Sequence, residues 1–350
     1  MLTPKPLPLV FGSAAVPGLA AVLRTSAGRV AFDPDLDLRL DGAPVPVQTA
    51  ASAYALPEGL RRVAPYVVWA AARRNWPFNG PNVRLRTDVD GDLLDRGSPV
   101  VVQRSDYLSL LCSNELTRWD IEAPEGAFRF REDHLFDVAG DFRRLGSSEL
   151  NNDIGVSTLA VTTDDHLVVT LQGTRSGVSA GRLAPSGSGG LEPRDHPESS
   201  VLQDFVCRGA ERELREETGI PAAAVGRSAV IGYGRWLDRG GKPEFFCVTA
   251  LTVSSEELVR RSLVHGVPAD ERPWVQEVGL VPLDLGAVRE LPASLPPSGE
   301  RAPCWHGTGL VDLSRRTGEP SVPLDAALDA LARTLRADPG FLSRLRDQAA

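Results

Sequence analysis

Lysine is nearly missing from this 350-residue chain: of its 38 basic residues only Lys5 and Lys242 are lysine, and the rest are arginine. With Ala, Gly and Pro abundant, this reads as a coding bias and not as a functional signal. Cysteine is scarce as well. Cys112, Cys207, Cys247 and Cys304 lie far apart with no CxxC pair, which excludes a thiolate zinc site and a dense disulfide framework, and fits a reducing cytoplasm. The five histidines, His134, His166, His196, His265 and His306, have no ligand spacing, so zinc chemistry is set aside. No run of about 18 uninterrupted apolar residues exists, so no membrane span is expected. The apolar start, Met1 to Leu23, holds one basic residue and is broken by Pro6, Pro8, Pro17 and Gly18, a pattern that reads against a cleaved leader. An excess of positive charge is absent too. The net charge of −8 gives no reason to expect nucleic-acid or anionic-membrane binding, and a small anionic substrate would need local cations or a metal.

What is present is ordinary for a folded protein: 42% hydrophobic and 24% charged residues. The length suggests two domains, or one with a large appendage, and we divide it at residue 150. The first part pairs a helical stretch, Arg61 to Arg74, with short strand-like runs at Val83 to Thr87 and Val100 to Gln103. The pattern sharpens from Ile154, where Val156, Leu159 and Val161 lead to an Asp164-Asp165 turn and a second apolar run, Leu167 to Leu171. That is a β-hairpin opening a new domain, residues 151–350. A strand at Arg182 to Ala184, a Gly/Ser-rich loop (Pro185 to Gly190) and a helix from about Ser200 to Thr218 follow. Strands are then expected at Ala229 to Leu237, Phe245 to Val253 and Glu277 to Leu285. A Pro-rich connection, Leu291 to Pro303, precedes a last amphipathic helix around Leu324 to Leu335. The fold class expected is α+β, a mixed sheet covered by helices on both faces in an α/β/α sandwich, preceded by a smaller mixed α/β N-terminal domain.

One segment carries chemistry: Arg212-Glu213-Leu214-Arg215-Glu216-Glu217-Thr218-Gly219-Ile220. On a helix, Glu213, Glu216 and Glu217 stand three and four residues apart, so their carboxylates leave from one face. Gly219 suits the left-handed residue that ends many helices. Like charges at i,i+4 cost about 0.2–0.5 kcal/mol, and acids in a last turn oppose the helix dipole by about 0.3–1 kcal/mol each. These penalties are small, so charge alone also fits a solvated acidic helix end.

The full pattern goes further. It resembles the signature of the Nudix family, G-x5-E-x7-R-E-U-x-E-E-x-G-U with U aliphatic, and every fixed position from Arg212 to Ile220 agrees. The first half departs from it. Counting back without a gap puts Asp204 at the expected glutamate and Glu198 at the expected glycine. Taking Gly190 as the family glycine instead implies an eight-residue insertion around Leu191 to Glu198, and we favour that reading, because Gly189-Gly190 follows a strand as the family's double glycine does.

The resemblance implies a hydrolase, dependent on Mg²⁺ or Mn²⁺, that cleaves the diphosphate of a nucleoside diphosphate linked to another group. Such a reaction needs neutralised phosphoryl oxygens and a placed water, and clustered carboxylates are hard-oxygen ligands for these ions. On the resemblance Glu213, Glu216 and Glu217 would hold the metal with a backbone carbonyl of Gly189 or Gly190, and Arg212 would orient a glutamate. The general base would come from this helix or from a later acid, Glu277 or Glu244. Arg235 and Trp236 could contact phosphate or base, and Ser188 with Gly189 could face a phosphate through backbone N–H groups. The layout is loosely most similar to the Nudix group acting on UDP-glucose and UDP-galactose, giving UMP and sugar 1-phosphate. An ADP-ribose, ADP-sugar or dinucleotide pyrophosphatase is the alternative, and a nucleotide sensor without turnover is a further one. No nucleic-acid or membrane partner is expected, and a homodimer would follow by family analogy.

Overall fold

A computed structural model of the chain describes residues 2–5, 9, 11–12, 14–73, 79–123, 126–173, 179–196, 201–260, 274–283 and 319–348. The first half runs through β1 (Leu2–Pro4), β2 (Ala21–Arg24), β3 (Arg29–Phe32), α1 (Pro34–Leu40), β4 (Val47–Thr49), α2 (Glu58–Ala72), β5 (Pro81–Leu85), α3 (Gly91–Arg96), β6 (Val100–Asp106), α4 (Tyr107–Leu111), β7 (Trp119–Ala123) and β8 (Gly126–Ala127). The second half adds β9 (Gly155–Val161), β10 (His166–Gln172), β11 (Leu183–Ala184), β12 (Gly187–Gly190), α5 (Leu202–Thr218), β13 (Val225–Trp236), β14 (Lys242–Leu251), α6 (Ser255–Leu258), β15 (Val275–Pro282), α7 (Val322–Ala337) and α8 (Phe341–Asp347).

A nine-stranded mixed sheet organises these elements in the order β11-β10-β9-β14-β13-β3-β2, with β12 paired to β9 and β15 to β10. Its alternating side chains serve two cores. Leu159 and Val161 of β9, with Phe246, Val248 and Ala250 of β14, meet the apolar side of α7. Val156 of β9 and Phe245 and Cys247 of β14 point the other way, onto Phe205, Val206 and Ala210 of α5. One sheet between two helical layers is the α/β/α arrangement, and the fold class is α+β.

The expected hairpin forms, but β10 leaves β9 directly after the turn, where Leu167 pairs with Val161. The Gly/Ser segment takes over as partner of β9 from Gly155 to Thr158. What composition marks as a loop is therefore a strand, because its glycines let α5 lie almost on its backbone. A Cβ added at Gly187 would collide with the backbone of Glu213 and Leu214, and one at Gly189 with the carboxylate of Glu213.

Residues on both sides of position 150 build the main sheet. β3 pairs with β13 from Val30 to Phe32, so the first half supplies two strands to the main sheet. α1 packs on β13 and α7, and Asp37 within it joins Arg333 of α7. Two small three-stranded sheets, β1-β7-β8 and β4-β6-β5, complete the N-terminal part. The Pro-rich connection, Cys304, His265 and His306 lie outside the described residues.

Candidate active site

Helix α5 buries Leu202, Phe205, Val206, Ala210 and Leu214, a ridge at intervals of three and four residues. Each of the four larger ones, Leu202, Phe205, Val206 and Leu214, contributes about 1.5–3 kcal/mol as an upper estimate. The helix stops at Gly219, whose φ of 71° is left-handed and whose N–H donates to the Arg215 carbonyl. Its last two turns lie over β12, which brings the predicted acids against the glycine strand.

Arg212 is the hub. Its guanidinium donates to Asp195 through Nε (2.8 Å) and Nη2 (2.9 Å), to Glu213 Oε1 (2.8 Å), to Glu216 Oε2 (2.9 Å) and to the Gly190 carbonyl (2.8 Å). Burial would lower its pKa, but the bond to Asp195 and the charges of Glu213 and Asp195 outweigh burial and raise it. The forked contact with Asp195 fixes the plane of the guanidinium. Asp195 is itself fixed, since it accepts the Glu192 N–H at 2.8 Å in a single turn of 3₁₀ helix.

Asp195 is the residue that the sequence reading missed. Asp204, placed at the expected glutamate by ungapped counting, is exposed in the first turn of α5. The spacing G-x5-E is met from Gly189 to Asp195, with aspartate for glutamate. The extra residues then number nine, between Asp195 and Arg212, and not eight from Gly190. Tracing the double glycine from its first member would have found it.

The three glutamates have different surroundings. Glu217 is buried and accepts the Ser188 N–H at 3.0 Å. Glu213 lies over Gly189, and burial pushes its pKa up to about 7 against the opposing pull of Arg212, with Glu216 and Asp195 adding repulsion. Glu216 is the open one, 36% exposed, and its second oxygen accepts from Arg194 at 3.0 Å. Among the described residues no group of three or more His, Cys, Asp or Glu side chains is arranged to hold a metal ion as it stands. The donors are nevertheless all carboxylate oxygens, and both Glu213 and Glu216 are held by guanidinium groups, so positive charge already collects there. In donor type the set fits a hard divalent cation.

Of the other expected residues, Glu244 lies across β9 from the glycine strand. It is buried on β14, accepting from Ser157 Oγ (3.0 Å) and Lys242 Nζ (2.9 Å). Glu277 is on β15 opposite Leu171. Arg235 and Trp236 turn out to be interior residues, because β13 is a central strand with both faces covered. Arg235 donates to the Gly241 and Arg143 carbonyls, and Trp236 packs in the core under α7 with Arg239 over its ring.

No protein-family model matches the chain, and a search of the curated proteins gives no match. Likenesses to solved structures include the following two. A MutT protein from Methanosarcina mazei Go1 is 19% identical over 33% of this chain and 85% of its own, at a TM-score of 0.21. The protein DR0079 from Deinococcus radiodurans is 16% identical over 39% of this chain and 90% of its own, also at 0.21. No helix among the described residues is long and apolar enough to cross a membrane.

Proposed function

We propose that this chain is a Nudix-type hydrolase that cleaves the diphosphate of a nucleoside diphosphate linked to a second group, with Mg²⁺ or Mn²⁺ as cofactor. The observation that carries this reading is the Arg212 hub, in which one guanidinium ties Asp195, Glu213, Glu216 and the Gly190 carbonyl together beside Glu217. Glu213, Glu216 and Glu217 are the residues that would hold the ion, with a carbonyl of the Gly189-Gly190 pair. When bound it would neutralise phosphoryl charge and acidify a water. Arg212 sets the direction of two carboxylates, and Asp195 keeps Arg212 from turning. The Ser188 N–H fixes Glu217, so that its carboxylate does not have to be ordered when substrate arrives. Glu213, which Arg212 orients over Gly189, is the candidate general base within the helix.

UDP-sugars are the first substrates to test, then ADP-ribose, ADP-sugars and dinucleotides. The test incubates the full chain with UDP-glucose, ADP-ribose, NADH and dinucleoside polyphosphates in Mg²⁺ or Mn²⁺ and measures released mononucleotide. Turnover that needs the ion and is lost in Glu217→Gln supports the reading. Tight binding of one compound without release would favour a nucleotide sensor, and full turnover in Glu217→Gln removes the carboxylate helix from the mechanism.

A further inference from the structure

The last residue of β12, Gly190, pairs with the first of β9, Gly155, which in turn pairs with Glu244 of β14. Two adjacent glycines leave the rim of the sheet without side chains of its own, and three charged groups take up the space that such side chains would fill. A Cβ at Gly155 would collide with the Glu244 carboxylate and with Lys242 Nζ, and one at Gly190 would sit 3.2 and 3.3 Å from the two Asp153 oxygens. Lys242 Nζ lies 2.9 Å from Glu244 and 3.7 Å from Asp153 Oδ2. Asp153, Lys242 and Glu244 are all at least 95% buried.

This cluster is incomplete. Two buried carboxylates share one ammonium, and Lys242 sits closer to Glu244. Asp153 Oδ1 has no hydrogen-bond partner among the described residues, although buried polar atoms are satisfied in the large majority of cases. Arg239, a further cation within electrostatic reach of Asp153, is bonded to Glu115 at 2.5 Å. Burial holds the Asp153 pKa up at about 6 despite Lys242 and Arg239. The backbone leading to it is also specialised, with Asn152 at a φ of 49° and paired with Asn114 in both directions, Asn152 N–H to Asn114 Oδ1 at 2.7 Å and Asn114 Nδ2 to Asn152 Oδ1 at 3.2 Å. This pairing fixes where Asp153 emerges. Tyr107, 37% exposed, lies within electrostatic reach of Asp153, Arg239 and Glu115.

We propose that Asp153 and Lys242, with Glu244 holding the ammonium in place, form the subsite for the hydroxyl-bearing group attached to the diphosphate, a ribose or a hexose. This rests on the hydrolase reading above and says which part of the substrate the rim takes. A hydroxyl donates one hydrogen bond and accepts others, so a pair of neighbouring hydroxyls can donate to Asp153 Oδ1 and accept from Lys242. A phosphate would meet two carboxylates for one ammonium, and an apolar group would leave the Asp153 oxygen unsatisfied. The position agrees with the chemistry. The Gly190 carbonyl accepts from Arg212 while the Asp153 carboxylate lies where a side chain on the same glycine would point, so one residue at the end of a strand separates the carboxylate helix from this subsite. Asn114, from the N-terminal half, holds the backbone that presents Asp153, which gives that half a part in choosing substrate.

The test measures binding to the full chain by isothermal titration calorimetry with Mg²⁺ present, in the Glu217→Gln background so that ligand persists. UDP-glucose and ADP-ribose are compared with inorganic pyrophosphate, which has no hydroxyl-bearing group. Asp153→Asn, which keeps the shape, should weaken the better sugar-bearing ligand at least tenfold and change pyrophosphate binding less than twofold, while the melting temperature holds or rises. Equal weakening for both classes makes Asp153 a structural support and overturns the subsite, as does no change for either. If Asp153→Asn binds a divalent ion less tightly in the absence of nucleotide, the rim is a cation site and the proposal is wrong. A wild-type chain that binds a sugar-bearing diphosphate without cleaving it, and loses that binding in Asp153→Asn, keeps the subsite and discards the hydrolase. Failure of every compound to bind overturns both.

Discussion

The chain contains two arginine hubs built from the same groups, and their settings differ. Around Arg212 the acids are Asp195, Glu213 and Glu216, and the cluster rests on a glycine strand with Glu216 and Arg194 reaching solvent. Around Arg333 the acids are Asp37 and Asp329, with the Phe32 ring 4.3 Å from the guanidinium and the whole group enclosed by α1, α7 and β3. A cavity of about 290 Å³ does reach Asp37 between α1, β13, α7 and α8. Both Asp37 oxygens are already engaged, one by the Tyr233 N–H and one by Arg333, so the cavity finds no free acceptor there. Identical chemistry thus has two uses. A closed hub holds α1 of the N-terminal half to the last helix, and the open hub, with Glu216 at the surface, is the one to which we assign chemistry. Exposure and backing strand separate them, and charge does not.

This contrast can be broken by experiment. Measured above pH 7, where Asp37 is ionised, Arg333→Ala should give the largest effect, a loss of about 3–5 kcal/mol in stability, because Asp37 is left buried without its cation. Urea unfolding measures it, and the ion-dependent turnover of the molecules that remain folded should be unchanged. Glu217→Gln should do the reverse, lowering kcat at least about a hundredfold, worth about 2.7 kcal/mol of barrier, while the unfolding midpoint stays nearly constant. If the first variant abolishes turnover in folded protein, or the second unfolds the chain, the division of labour between the hubs is wrong.

A smaller effect concerns pH. Burial raises the Asp37 pKa from its ordinary 3.8 to about 7, against the pull of Arg333 and the Tyr233 N–H. The folded chain then keeps a proton that the unfolded chain releases, and its contribution to stability is fully present below about pH 4 and falls as pH rises toward 7. Asp37→Asn should flatten the wild-type decline between pH 4 and 7 by on the order of 1–3 kcal/mol. An unchanged slope would mean that Arg333 keeps Asp37 ionised throughout. The smallest effect sharpens the open hub alone: Gly219→Ala strains a left-handed helix end, costs about 1 kcal/mol, and should lower turnover only in proportion to the folded fraction.

Much of this architecture could be read along the chain. The apolar periodicity of Leu202 to Leu214 and the stop at Gly219 located α5, and the alternation after Ile154 located β9 and β10. The acids from Glu213 to Glu217 were legible because local helical geometry decides which face they share. Asp195 was not, since its partner stands 17 residues later across a turn, and the missing spacing offered a choice of glycines. Arg235 and Trp236 drew attention by residue type, but their burial depends on β3, which comes from a part of the chain two hundred residues earlier. Lys242 left a faint trace as one of two lysines in an arginine-rich chain, with nothing local to say that it would meet Asp153.

Sequence alone determined the elements and the chemical types of the helix, because propensity, period and capping act within a few residues. Tertiary structure decided which of the two arginine hubs is open, which glycines carry the helix and which orphaned carboxylate oxygen faces the rim. Those outcomes depend on solvent access and on backbone approach between distant strands, and neither quantity exists until the sheet has closed.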